Sequence, residues 1–235
     1  MDGGLIMGNV RLYGSTSGYT ELAPPAIAPD GVLSLPTGTG TLATAASVTA
    51  AQAAATAAGI AGGGLVAVTP SSIANSGGSA STTGNTTTFT GVTSVSLNGT
   101  FTSTYDNYVV LVTATTSNNQ YPTMRLRVAG ADASGSDYDA QAFEVYTSTT
   151  AASLLSNQTS WRIGYFNTEG DSAIKTEIFR PNLAATTLYQ TFCDNPVQLQ
   201  WDGGDHDLST AYDGFTFIST SGTITGTIQV FGYKD

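Results

Sequence analysis

The sequence predicts an all-β chain: a C-terminal jelly-roll-like β-sandwich, preceded by a short β and Ala-rich helical N-terminal attachment segment. Three observations carry this. First, only 10% of the 235 residues are charged, against 40% hydrophobic, where soluble domains average about 25% charged. Thr, Ser, Gly and Ala fill the difference, and β-branched Thr favours strands. Second, after residue 90 short apolar runs recur with polar turns between them. Third, both Trp residues, the single His and most of the Tyr and Phe lie after residue 90, and aromatic side chains supply the large buried areas of a core. Intrinsic disorder is excluded, because it combines low hydrophobicity with dense charge.

From the N-terminus, residues 1–42 read as short β elements. Val10 to Tyr13 and Tyr19 to Leu22 flank Gly14-Ser15-Thr16-Ser17-Gly18, a hairpin loop. Pro24-Pro25 stops the strand, since proline lacks the ladder donor. Val32-Leu33-Ser34-Leu35 is a further strand, ended by Pro36. These pieces are too poor in bulky side chains to form a core alone. They must pack on copies of themselves or on a partner, which makes Val10, Leu12, Tyr13, Tyr19, Leu22, Val32, Leu33 and Leu35 the candidate attachment and trimerisation residues.

Residues 43–90 read as an Ala-rich helix followed by a Gly/Ser/Thr-rich linker. Alanine has the best helix propensity, and Gly62-Gly63-Gly64 closes the run. Such helices approach closely, as three around one axis would; a flexible linker is the competing reading. Residues 75–88 read as linker or extended chain.

Residues 91–235 form the sandwich. Strand signals are Val92 to Leu97, Tyr108 to Thr113, Met124 to Val128, Ala142 to Tyr146, Trp161 to Phe166, Ile174 to Phe179, Leu188 to Cys193, Val197 to Trp201, Phe215 to Ile218 and Ile224 to Phe231. Turns fall at Ser117-Asn118-Asn119, Ala129 to Asp132, Glu169-Gly170-Asp171, Asp194-Asn195-Pro196, Asp202 to Asp205 and Ser221-Gly222. Many short strands with polar turns point to two packed sheets.

Charge and motifs narrow the function. A net charge of −10 with seven Lys and Arg argues against nucleic acid, which needs clustered cations, and against anionic membranes. No apolar run is long enough to span a bilayer, and the N-terminus lacks a basic, apolar leader. The expectation is a protein made in a cytoplasm that stays there or joins an assembly. Cys193 is the one cysteine, a small buried strand residue with no disulfide partner in the chain. No cofactor is expected.

Two acidic stretches, Asp132/Asp137/Asp139 and Asp202/Asp205/Asp207, read as solvated turns rather than calcium loops, because neither fits the EF-hand pattern. His206 reads as an exposed loop residue, with no nucleophile elbow beside it. Glu144, Glu169, Asp171 and Glu177 are the carboxylates a glycosidase would draw on. The sequence sets no two of them across a cleft. Trp161, Trp201 and the tyrosines are assigned to the core, and the chain is read as non-enzymatic.

The stretch Leu97-Asn98-Gly99-Thr100-Phe101-Thr102-Ser103-Thr104-Tyr105-Asp106-Asn107-Tyr108, running into Val109 to Val112, resembles the opening of C-terminal domains in tailed-bacteriophage fibre and head-decoration proteins. Met124 to Val128 with the loop ending at Tyr138, and the close Gly226 to Tyr233, are similar to the same pattern. Leu12 to Tyr19 and Leu35 to Leu42 resemble phage fibre and neck segments. The resemblance implies a virion surface protein, made in the bacterial cytoplasm, trimeric and attached through its N-terminal part. With so short a lead-in, the first expectation is a capsid decoration (cement or head-fibre) protein, whose partners are its own copies and the major capsid protein or another virion protein. The alternative is a tail fibre recognising a host surface glycan or protein through exposed Tyr121, Tyr138 and Tyr212.

Overall fold

In the computed structural model the described residues are 10–13, 19–22, 64–146 and 148–234, with side chains described from residue 64 onward. Every regular element among them is a strand. The chain divides into two compact units, Met1–Gln52 and Ala53–Asp235.

In the first unit, β1 (Val10–Tyr13) and β2 (Tyr19–Leu22) pair antiparallel, with Val10 opposite Leu22 and Tyr13 opposite Tyr19, and form a two-stranded sheet of their own. The hairpin predicted around Gly14 to Gly18 is thus present. Val32, Leu33 and Leu35 and the Ala-rich helix lie outside the described residues.

The second unit is one curled antiparallel sheet of fourteen strands. In chain order they are β3 (Gly64–Ala67), β4 (Ser72–Thr83), β5 (Thr86–Asn98), β6 (Asn107–Thr116), β7 (Thr123–Val128), β8 (Ala131–Asp132), β9 (Tyr138–Tyr146), β10 (Thr149–Gln158), β11 (Trp161–Arg162), β12 (Ser172–Phe179), β13 (Thr187–Asn195), β14 (Gln198–His206), β15 (Gly214–Ile218) and β16 (Ile224–Lys234). Their order across the sheet is β10-β9-β14-β13-β12-β6-β16-β5-β15-β7-β11, with β3 beside β16, β4 beside β5 and β8 beside β7.

The curl is made at β5. Its first half pairs with β16, from Thr86 to Val92, and its second half pairs with β15, from Ser94 to Leu97. One long strand therefore exchanges one neighbour for another along its length, which bends the sheet. The bend coincides with a register shift between Ser76 and Gly77 of β4 and with left-handed backbone at Gly78 and Gly91 (φ 41° and 64°). A Cβ on Gly78 would stand 1.9 Å from the Thr90 carbonyl oxygen, so the corner requires glycine there.

The curled sheet closes on an aromatic core. Phe217 of β15 meets Phe89 of β5 and Phe166, and Phe101 packs on both Tyr108 and Phe215. Trp161 on β11 stacks on Tyr189 of β13 at 4.4 Å and meets Tyr138 of β9 edge-on. Val95, Leu97, Val110, Val112, Met124, Leu126, Ile224 and Ile228 fill the space between. The motif Phe101 to Tyr108 thus becomes a clasp: the Tyr108 hydroxyl donates to the Thr102 carbonyl and accepts from the Thr102 amide.

Several expectations are corrected. Of the two readings of residues 75–88, extended chain holds and linker does not: they lie in the β4–β5 hairpin, turned at Gly84-Asn85, and the sheet begins upstream of residue 91. Strand β10, in a stretch of small residues, was not predicted. The Trp161 to Phe166 strand shrinks to two residues plus a bridge from Phe166 to Gln120. Asp202 to Asp205 is the middle of β14, not a turn. Pro196 and Val197 make the turn before it.

Candidate functional site

Strands β9, β12, β13 and β14 define two faces, and the usual apolar-inward pattern is inverted along β14 and at the Phe143-Glu144 end of β9. Along β14, Gln198, Gln200, Asp202 and His206 are buried while Trp201 is 50% exposed. Along β9, Glu144 is buried and Phe143 is 43% exposed. At Glu144 and along Gln198 to Asp202 polar residues therefore turn inward, with Phe143 and Trp201 outward, while Tyr138, Ala140 and Ala142 of β9 are buried in the usual way.

The inward groups form one network. Arg162 reaches Glu144 Oε1 at 2.8 Å and Asp202 Oδ1 at 3.2 Å. Glu144 Oε1 lies off the line of the guanidinium N–H bonds, so this contact is chiefly Coulombic. The other Glu144 oxygen accepts from the Tyr121 hydroxyl at 3.3 Å and from the Tyr146 hydroxyl. Gln200 donates to Asp202, and Gln198 donates to Gln200 at 3.1 Å. The Arg162 guanidinium also sits 4.7 Å from the centre of the Tyr121 ring, a cation–π contact. Burial pushes the Asp202 carboxyl up to about 6 from its ordinary 3.8, although Arg162 and Gln200 pull it down. Paired charges of this kind fix strands in place; they add little net stability but are costly to break.

The outward groups form a row across the strands. Phe143, Trp201, Phe192 and Lys175 are successive cross-strand neighbours. Phe143 and Trp201 lie 6.5 Å apart at 29°, and Phe192 and Trp201 lie 5.1 Å apart. Beside the row, Glu177 on β12 and Gln190 on β13 face each other in register. Glu177 takes Lys175 at 2.7 Å, Gln190 Nε2 at 2.6 Å and the Tyr233 hydroxyl at 2.9 Å. The Lys175 ammonium holds the Glu177 carboxyl below its ordinary range. Leu188 on β13 and Leu154 on β10 are also exposed.

The predicted recognition tyrosines do not sit here. Tyr138 is 0% exposed and Tyr212 1% exposed, so their expected exposure is corrected. The Tyr138 hydroxyl donates to the Ala133 carbonyl at 2.7 Å and accepts from the Leu126 amide, and Tyr212 lies against His206 Nδ1 at 3.2 Å. Their rings fill core and their hydroxyls find partners inside. Tyr121 is half-buried in the polar network. His206, expected in an exposed loop, is 0% exposed between Tyr138 and Tyr212. Burial lowers its pKa.

Trp201, expected in the core, is at the surface instead, because Gln200 and Asp202 occupy the inward positions on either side of it. Cys193 is buried as predicted, and desolvation pushes its thiol up to about 12. Of the carboxylates named for glycoside chemistry, Glu144 points inward from β9 and Glu177 outward from β12. Asp132 pairs with Arg127, and among the described residues no three acidic, His or Cys side chains converge for a metal ion.

Sequence reasoning missed Phe143, Lys175, Glu177, Gln190, Phe192 and Trp201 as a group. The available signal was the alternation Gln198-Leu199-Gln200-Trp201-Asp202, read as apolar-in when it is polar-in. Comparison of the chain with protein-family models, with curated proteins and with solved structures gives no match.

Proposed function

We propose that this chain is a non-enzymatic surface protein of a tailed-bacteriophage particle, a trimeric capsid decoration protein held by its N-terminal segment. Its curled sheet is then a jelly-roll-like knob. The observation that carries this reading is the β1–β2 hairpin, four residues a strand, forming a sheet of its own in a unit separate from the large β unit. A lone hairpin is marginal in water, and the first 90 residues hold few bulky side chains with which to secure it. Sister copies and coat subunits would supply the missing contacts. The mechanism is mass action: a protein that binds the assembled shell and not its parts stabilises the shell. Trimerisation multiplies weak contacts through effective concentration.

The test is binding of the purified chain to undecorated shells. Co-sedimentation at a stoichiometry comparable with coat subunits is expected, and Leu12→Asp or Leu35→Asp should abolish it. A chain that never binds shells, and is present on particles in only a handful of copies, sinks the decoration reading.

The second reading, a short tail fibre recognising a host glycan or protein, is favoured by the row of exposed Phe143 and Trp201 with half-buried Phe192. Copies retained on tail-less heads would argue against it.

A further inference from the structure

The outward face of β12, β13 and β14 carries a groove of about 190 Å3 lined by Lys175, Glu177, Gln190, Thr191, Phe192 and Trp201. It has two unlike walls. One is aromatic: the indole of Trp201, half exposed, with Phe192 tilted against it at 52°. The other is polar and fixed in place. Glu177 is held in one orientation by three donors, from Lys175, Gln190 and Tyr233.

We propose that this groove is a subsite for one ring of a neutral oligosaccharide. It rests on the reading that the β unit faces outward from a particle, and on no assumption about where on the particle. A pyranose offers an apolar C–H face and a rim of hydroxyls. The C–H face suits the aromatic wall, since flat rings bury area at little conformational cost. The hydroxyls suit the polar wall. A carboxylate accepts at several lone-pair sites and keeps acceptor capacity after binding its three donors, and the ammonium and the amide each offer further bonds.

Charge selects the class of ligand. Lys175 and Glu177 cancel within the groove, so neither an anionic nor a cationic sugar gains net attraction. A second copy of the chain, at net charge −10, would bring further negative charge to Glu177 and would leave an ion pair inside an interface. A polyhydroxylated neutral ligand satisfies both walls at once. Size selects the extent of contact. The groove is smaller than the roughly 300–1,000 Å3 of a drug-sized pocket, which fits one sugar ring at a time. Single-site affinity is therefore weak, about 1 mM, and copies on one particle would multiply it.

The test uses the full chain and three probes: maltotetraose, mannotetraose and tetra-N-acetylchitotetraose. Tryptophan emission reports the groove directly, because Trp201 is exposed and Trp161 is fully buried. A saturable emission shift is expected with at least one probe. Trp201→Ala should abolish binding, followed by sugar-proton NMR line broadening, and Glu177→Gln should weaken it by about tenfold. Both variants should unfold at the wild-type temperature. No saturable response to any of the three overturns the proposal. So does an oligomer that dissociates on Trp201→Ala in sedimentation, which would make the face a contact between copies. Shell binding by Trp201→Ala separates the two readings: it persists if only the groove is wrong, and wild-type failure to bind shells leaves the sugar result standing.

Discussion

Asp202 and His206 stand four positions apart on β14 and respond to acid in opposite directions. Asp202 has a folded pKa of about 6 against an ordinary 3.8. The folded state thus holds a proton that the unfolded state releases. The stabilisation from this proton is complete below about pH 4 and is lost as pH rises towards 6, about 3 kcal/mol in all. His206 has a lowered pKa because burial disfavours its charge, so it withdraws stability as pH falls below its ordinary 6.5. Asp202→Asn should flatten the unfolding free energy between pH 4 and 6, measured by urea denaturation at a series of pH values; an unchanged slope would dismiss the assignment. Arg162→Met leaves Glu144 and Asp202 buried without their cation. It should cost about 3–5 kcal/mol at pH 7, with partial recovery at pH 5 as Asp202 takes up its proton. Cys193, with its thiol near 12 and no exposure, should resist alkylation until the protein is unfolded.

Among the elements, the β4–β5 hairpin has the most to do with shape, because its bend helps curl the single sheet. Gly78→Val would place a side chain against the Thr90 carbonyl and force a left-handed backbone on a β-branched residue. A loss of about 2 kcal/mol or more is expected, seen as a lower midpoint in thermal unfolding by circular dichroism. Gly84→Ala, where a Cβ meets nothing within 4 Å, should cost less, since only its positive φ is strained. This hairpin was partly legible in the sequence: Gly84-Asn85 between Thr-rich runs is a two-residue turn signal. The runs themselves were unreadable as strands because Ser72 to Thr83 carries almost no bulky side chains; its partner β5 supplies the ladder. Strand β10 was illegible for the same reason, as Thr149 to Ser153 contains only Thr, Ala and Ser.

At the scale of the whole molecule, the outward faces of β9, β13 and β14 carry the exposed Phe143 and Trp201 among the described residues. Phe143→Ser with Trp201→Ser should leave the fold intact, because these side chains are already half in water, while removing the apolar row. A heat-stable double variant that still recognises every partner of the wild type would show the row to be idle. Trp161→Ala offers the contrast: this ring bridges β9 and β13 from β11, and its loss should cost about 3–5 kcal/mol.

The sequence by itself determined the class of the fold and most of its strands. Runs such as Tyr108 to Thr113 and Ile224 to Phe231 are apolar enough to be buried in any arrangement, and Gly, Asn and Asp punctuate them for reasons local to the backbone. It also determined that Cys193 would be inside. Only the tertiary structure decided which face of β9 and β14 is inward. Alternation places side chains on two faces without saying which is buried, and that choice rested on Arg162, eighteen residues past Glu144 and forty before Asp202. Arg162 meets both carboxylates inside, with Phe143 and Trp201 at the surface, a pairing that no stretch of local sequence contains.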